Sequence, residues 1–156
     1  MKASDLFVKC LEEEGVTRIF GVPGEENADF MISLKQSKKI EFILCRHEQA
    51  AAFMADAYGR LTGKAGVCLS TLGPGVTNLM TGLADANMDR SPVVAIIGQG
   101  STNRLHKESH QIMDSISMVH PISKWAQTIL SSQNITEVVR KAFKVAETEE
   151  PGVTVI

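Results

Sequence analysis

One short run of polar residues, Arg46-His47-Glu48-Gln49, carries the side chains best suited to acid–base chemistry. It follows an apolar stretch typical of a buried strand and opens an Ala-rich stretch typical of a helix. Functional groups collect at such strand-to-helix edges, so Glu48 could donate and accept a proton there. A structural interpretation stays open, because the helix dipole stabilises any carboxylate in a first turn. His47 has no partner at metal-ligand spacing, which favours a helix-capping or supporting role.

Glycine-rich turns are the other candidate sites. Gly73-Pro74-Gly75 lies between a strand and a helix, where ligands of open α/β sheets bind, although the same pattern also makes a purely structural turn. Together with Gly21-Val22-Pro23-Gly24 and the Glu48 run, it could line one crevice. The segment 59–65 resembles a phosphate-binding loop, but it has one residue too few between its glycines and lacks the final Ser or Thr. The C-terminal cap of a helix explains it better.

The remaining polar and sulfur-containing side chains favour structural roles. Three histidines have irregular spacing and form no recognisable metal set: His106, His110 and His120. Two carboxylates one turn apart predict a solvated helix end: Asp85 and Asp89. Four methionines fall on helical faces and are predicted to fill the core: Met54, Met80, Met88 and Met113. Three cysteines without ligand spacing are predicted to be buried free thiols: Cys10, Cys45 and Cys68.

Alternating strand and helix patterns must position these groups. Six strands are predicted, at 16–22, 41–45, 65–71, 92–98, within 122–130, and at 153–156. About six helices are predicted, at 4–14, 27–36, 48–61, 76–88, near 110–118, and at 136–148. Residues 99–109 lack periodicity and are predicted to form a loop. This order predicts an α/β fold with a six-stranded, mostly parallel sheet and helices on both faces.

Composition narrows the classes of function. The 156 residues suffice for one domain with its own core, and 44% hydrophobic and 22% charged residues are ordinary for a globular protein. A net charge of −2 provides no basic field for nucleic acid or an anionic membrane. No apolar run approaches the ~20 residues that span a bilayer, and no signal-peptide pattern is visible, so we expect a cytoplasmic protein. Because the last strand pattern runs to Ile156 without a stop signal, we expect residues 1–156 to be one domain of a longer chain.

Four segments of the chain resemble the N-terminal pyrimidine-binding domain of thiamine-diphosphate enzymes, and of the acetolactate synthases in particular. They are FGVPGEEN (20–27), RHEQAAAFMADAYGRLTGKAGV (46–67), STLGPGVTNLMTGLADANMDRSPVVAIIGQ (70–99) and HQIMD (110–114). The resemblance covers essentially the whole chain and keeps the order and spacing of the motifs. It implies the thiamine-diphosphate-binding fold over residues 1–156. It also implies a domain of a carboligase that converts two pyruvate molecules to 2-acetolactate and CO2.

The resemblance also implies roles for individual residues. Glu48 matches the glutamate that hydrogen-bonds N1′ of the aminopyrimidine and activates the cofactor. Gln111 matches the glutamine that reaches the substrate side. The residues that match those bordering the pyrimidine ring are Pro23, Thr71, Pro74 and Asn78. No residue matches a metal ligand, because the family holds Mg²⁺ and the diphosphate on a separate C-terminal domain.

Two positions distinguish types within the family. His110 stands where the biosynthetic enzymes have Phe, and His120 stands where they have an Arg that touches FAD. Both favour the catabolic type, which does not use FAD. The family's active site lies between subunits, which implies a homodimer or homotetramer acting on pyruvate or a related 2-keto acid. We therefore expect residues 1–156 alone to be inactive and to bind the cofactor weakly. The alternatives are another thiamine-diphosphate decarboxylase, a pyruvate oxidase, or a non-catalytic partner subunit.

Overall fold

A single sheet with helices on both faces organises the computed structural model, which describes residues 1–156. Its strands are β1 (Arg18–Gly21), β2 (Glu41–Leu44), β3 (Gly66–Ser70), β4 (Val93–Ile97), β5 (Trp125–Ala126) and β6 (Val153–Val155). Its α-helices are α1 (Ala3–Glu13), α2 (Ala28–Gln36), α3 (Glu48–Thr62), α4 (Pro74–Met88), α5 (Ser115–Val119) and α6 (Ile135–Glu147). Short 3₁₀ turns occur at Glu25–Asn27, His120–Ile122 and Ser132–Asn134. None of the helices is both long and apolar enough to cross a membrane.

The strands follow the order β2-β1-β3-β4-β6-β5, and every neighbouring pair is parallel. The predicted α/β fold and the six-stranded sheet are therefore confirmed, with a fully parallel sheet in place of a mostly parallel one. In a parallel sheet, all carboxyl ends lie at one edge. Gly21 at the end of β1 is in register with Leu44 of β2 and Leu69 of β3. The loops that carry the candidate residues therefore start side by side.

Two apolar cores cover the two faces of the sheet. One lies under α1, α2 and α6, and the other lies under α3, α4 and α5. Strands β3 and β4 are buried on both faces, which explains their continuous apolar sequences. On α3, the buried side chains facing the sheet are small, including Ala51, Ala52 and Ala55. These alanines let α4 approach closely, since a Cβ on its Gly82 would lie 2.6 Å from the Cβ of Ala52.

The ends of α3 are built from side chains that the sequence makes recognisable. His47 is the N-cap, and its Nδ1 accepts a hydrogen bond of 3.1 Å from the backbone N–H of Gln49. Gly63 closes the helix in the left-handed conformation, with φ of 68°. The predictions of a capping role for His47 and of a helix cap within 59–65 are both confirmed.

One local prediction is wrong. Met54, Met88 and Met113 are 45%, 82% and 42% exposed and do not fill the core, because they lie outside the buried faces of their segments. The strand predicted within 122–130 is confirmed as the two-residue β5 at the edge of the sheet. The short helix predicted near 110–118 is confirmed as α5, which begins at Ser115.

The cysteines follow the prediction only in part. Cys45 and Cys68 are buried free thiols, whereas Cys10 is half-buried. Burial raises the pKa of the Cys68 thiol to about 12, so this side chain stays neutral and behaves as a small apolar group.

Candidate active site

The loops after β1, β2 and β3 meet at the carboxyl edge of the sheet. Gly24, in the loop after β1, packs directly on Thr71, which follows β3: a Cβ at Gly24 would lie 2.5 Å from the Cβ of Thr71. Pro23 precedes this contact and is exposed at the rim. The third loop, after β2, leads into Glu48 at the start of α3. The three strand-to-helix edges therefore meet, as the sequence predicts, and the place where they meet is called the Glu48 crevice below.

Glu48 is the buried acid of this crevice. Its residue is 8% exposed, although it lies at the first position of a helix. Oε2 accepts a hydrogen bond of 3.0 Å from Nδ2 of Asn78, in the second turn of α4. Oε1 makes no hydrogen bond within the chain and lies toward Gly75, where an added Cβ would be 3.5 Å from it. One oxygen is therefore fixed and the other is free to bind a ligand.

The capping interpretation of Glu48 does not fit this geometry. His47 already fills the N-cap of α3, and the Glu48 carboxylate bonds a side-chain amide on another helix rather than a backbone N–H. Nor does the carboxylate form an ion pair, since its protein partner is the neutral amide of Asn78. Oε1 is therefore the oxygen of Glu48 that a ligand could reach and bond.

The glycine turn forms the second wall of the crevice. Gly73 has φ of 58° and ψ of −115°, a conformation that a residue with a side chain adopts only under strain. Pro74 then occupies the first turn of α4, where its missing N–H costs no hydrogen bond. Because Gly73 and Gly75 lack side chains, Gln111 and Thr71 can lie against this turn. A Cβ at Gly73 would be 2.6 Å from the carbonyl oxygen of Gln111.

The predicted site residues are distributed unevenly around the crevice. Glu48, Thr71 and Asn78 come together in its interior. Pro23, Pro74 and Gln111 are exposed at its border, and Gln111 is in the left-handed region with φ of 57°. Sequence reasoning missed the part played by Gly75, whose lack of a side chain leaves room beside Oε1 of Glu48. The tight GPG spacing was the signal available for it.

The crevice fits the aminopyrimidine that the resemblance implies. An aminopyrimidine needs an oxygen that can share a proton with a ring nitrogen, which Oε1 of Glu48 can supply. Gly73 and Gly75 do not themselves leave open space for the ring, because Gln111 and Thr71 pack where their side chains would be. The structure contains no group of three or more His, Cys, Asp or Glu side chains close enough together to hold a metal ion.

Comparison with known proteins gives a consistent result. The family described as "Thiamine pyrophosphate enzyme, N-terminal TPP binding domain" matches residues 1–118. The chain is 44% identical over 151 residues to an acetolactate synthase of Bacillus subtilis, which covers 97% of this chain and 26% of that protein. It is 45% identical over 152 residues to a probable acetolactate synthase large subunit of Methanocaldococcus jannaschii, with 97% of this chain and 26% of that protein covered.

A third relative carries a more specific name. The chain is 46% identical over 149 residues to a catabolic acetolactate synthase of Raoultella terrigena, with 96% of this chain and 26% of that protein covered. The chain spans about a quarter of the length of the curated relatives it matches. The resemblance predicted from the motifs is confirmed by these matches.

Proposed function

The chain belongs to the thiamine pyrophosphate enzyme family as its N-terminal TPP-binding domain, and from this premise we propose that it supplies the cofactor-activating half of an acetolactate-synthase-like active site. In this proposal Glu48 shares a proton with N1′ of the aminopyrimidine. Asn78, Thr71, Pro23 and Pro74 border the ring, and Gln111 contacts the substrate. The substrate is pyruvate or a related 2-keto acid, in keeping with the names of the relatives.

One observation carries the proposal: only one of the two carboxylate oxygens of Glu48 has a hydrogen-bond partner in the chain. Asn78 occupies Oε2 with its hydrogen bond, and Oε1, which has no partner in the chain, lies beside Gly75. A positioned carboxyl group that donates and takes back one proton is a general acid–base catalyst. When bound, thiamine diphosphate supplies the electron sink that a 2-keto acid needs in order to lose CO2. The protein's part is to orient the ring and hold this proton.

The proposal includes groups outside residues 1–156. Mg²⁺ and the diphosphate would be bound by other segments of the protein, and FAD would not be needed for turnover. The three free cysteines support a reducing compartment such as the cytoplasm.

A partner subunit would complete the site. Beyond Glu48, α3 turns an apolar face outward that includes Phe53, Met54 and Leu61, and Leu61 is 86% exposed. Met54, Ala57 and Leu61 are all exposed and follow helical spacing, so they form one continuous stripe. Apolar stripes of this kind are typical of interfaces. We expect this stripe, on the same helix as Glu48, to contact a second subunit in a homodimer or homotetramer.

The test of the catalytic role is Glu48→Gln in the intact protein. A glutamine keeps the shape and can bond Asn78, but it cannot donate an acidic proton, so we expect turnover of pyruvate to acetolactate to fall by about 10²–10⁴-fold. Glu137→Gln is the matched control, because Glu137 also lies in a first helical turn and is exposed. Turnover in Glu48→Gln that matches the control would rule out this role.

The test of the interface is Leu61→Asp. A buried, unpaired carboxylate in an apolar contact is costly, so light scattering should show a shift to smaller species and activity should fall with it. Ile32→Asp is the control, since Ile32 is an exposed apolar residue on α2, on the opposite side of the sheet. An unchanged molar mass in Leu61→Asp would place the subunit contact elsewhere.

A further inference from the structure

We propose that Gln99 is a positioning residue: its side-chain amide staples the two ends of the loop 99–113 and thereby holds Gln111 beside the Glu48 crevice. This inference rests on the proposed function, in which Gln111 contacts the substrate. It assigns a role to a side chain that lies two residues after the end of β4 and for which the resemblance implies none.

The staple uses both ends of one amide. Nε2 of Gln99 donates a hydrogen bond of 2.9 Å to the carbonyl oxygen of Met113. Oε1 of Gln99 accepts a hydrogen bond of 2.9 Å from the backbone N–H of Gly100. The first bond joins the two ends of the loop, which we call its neck. The second holds the amide so that its donor faces Met113. Together they close a loop whose ends are fourteen positions apart in the sequence.

The neck is also packed. Gly100 is buried beneath Ile112, and a Cβ at Gly100 would lie 2.6 Å from Cδ1 of Ile112. The side chain of Ile112 therefore packs directly on the backbone of Gly100, where a larger residue would force it to move. The hydrogen bond joins residues 99 and 113 and this contact joins residues 100 and 112, so together they hold the two ends of the loop side by side.

The neck leads directly to Gln111. This residue adjoins Ile112, and its backbone lies on the glycine turn: a Cβ at Gly73 would be 2.6 Å from its carbonyl oxygen and 2.8 Å from its Cβ. Gly73 in turn precedes α4, the helix from which Asn78 reaches Glu48. A continuous series of contacts therefore runs from Gln99 to the crevice.

No other hydrogen bond joins the two ends of the loop. The backbone and side-chain hydrogen bonds of residues 101–112 all join residues of the loop to one another, for example Arg104 to Ser109 and Ile112 to Ser109. Residues 101–110 form no α-helix or β-strand, and most of their side chains are exposed. Removal of the Gln99 amide therefore leaves two packing contacts, that of Gly100 with Ile112 and that of Gly73 with Gln111, to oppose the conformational entropy of the loop.

The experiment is Gln99→Ala in the intact protein, followed by two measurements. Hydrogen–deuterium exchange in peptides from 100–113 should become about tenfold faster, since two hydrogen bonds are lost. The KM for pyruvate should rise about tenfold with kcat changed by less than about twofold, because a misplaced Gln111 weakens substrate binding more than it changes the reaction. Gln99→Glu keeps the acceptor for Gly100 and loses the donor to Met113, so it should give intermediate exchange.

Gln127→Ala is the matched control. Gln127 lies in the neighbouring loop after β5, and its Nε2 donates only to the carbonyl oxygen of the next residue, Thr128, at 3.2 Å. Its removal should change neither exchange nor KM.

Each result decides a step. Unchanged exchange in Gln99→Ala would overturn the staple. Faster exchange with an unchanged KM would overturn the positioning role. A wild-type protein that does not turn over any 2-keto acid would remove the proposed function and with it the link to substrate, whereas the exchange result would still decide whether Gln99 holds the loop.

Discussion

Helix α3 carries two buried carboxylates along its contact with α4, and their hydrogen-bond partners differ in charge. At the N-terminal end, Glu48 bonds the neutral amide of Asn78 and leaves one oxygen without a partner in the chain. Toward the C-terminal end, Asp56 is equally buried but both of its oxygens bond Arg60, at 2.8 Å each. The comparison separates a carboxylate prepared for a ligand from one committed to structure.

Toward the C-terminal end of α3, Arg60 forms ion pairs with three aspartates, Asp56, Asp85 and Asp89. Nη2 of Arg60 also bonds Asp85 at 3.0 Å, and Nη1 bonds Asp89. The hydrogen bonds that Arg60 donates to Asp56 and Asp89 raise the pKa of Arg60, so the guanidinium remains charged. The prediction that Asp85 and Asp89 lie at a solvated helix end is confirmed, since both are exposed at the end of α4, and both carboxylates also pair with Arg60 on the neighbouring helix.

The difference between the ends shows which property of a buried acid indicates function. Burial alone does not, since Glu48 and Asp56 share it. What distinguishes Glu48 is that its partners within the chain are too few and uncharged, so a ligand can complete its interactions. Substitutions at the two ends should accordingly separate activity from stability.

The largest effect on stability is expected from Asp56→Ala. The bidentate pair with Arg60 is lost, and the free energy of unfolding should fall by about 2 kcal/mol, less than for a fully buried pair because Arg60 is partly exposed. Equilibrium urea denaturation measures this, with Asp29→Ala as control, because Asp29 pairs with Lys2 at the exposed surface. A loss no greater than the control's would contradict the comparison, as would a large fall in the turnover of the folded protein.

Asn78→Ala should have an intermediate effect, and chiefly on ligand binding. Without the amide, Oε2 of Glu48 loses its partner and the side chain can leave the rotamer that aims Oε1 at the glycine turn. We expect thiamine diphosphate affinity, measured by calorimetry in saturating Mg²⁺, to fall about tenfold. Thr77→Ala is the control, since the Thr77 hydroxyl on the same helix bonds only the carbonyl oxygen of Pro74. Equal affinities in the two variants would show that Asn78 does not position Glu48.

The smallest effect is expected from Asp85→Asn. Asp85 is exposed, and Arg60 keeps its bonds to Asp56 and Asp89, so the loss in unfolding free energy should be about 0.5 kcal/mol or less. Raising the salt concentration should reduce it further, because exposed pairs are screened. An effect as large as that of Asp56→Ala, or one that does not change with salt, would mean that the cluster acts as a single buried network.

Local pattern accounts for much of what could be predicted. The strands β3 and β4 are continuous apolar runs, and Gly63 and His47 end and begin α3 as their residue types suggest. The wrong predictions share a cause. The face of a helix that carries Met54 or Met88 is set by spacing, but whether another element covers that face is decided elsewhere in the chain.

The sequence by itself determined the alternation of strands and helices, the parallel sheet that follows from it, and the placement of Glu48 and the GPG turn at strand ends. These depend on contacts between near neighbours and on the handedness of the chain. Only the tertiary structure decided that Asn78 occupies one oxygen of Glu48, that Arg60 gathers three aspartates, and that Gln99 closes the loop carrying Gln111. Those pairings join residues far apart in the sequence, or on opposite sides of an irregular loop, where no periodic pattern specifies the partner.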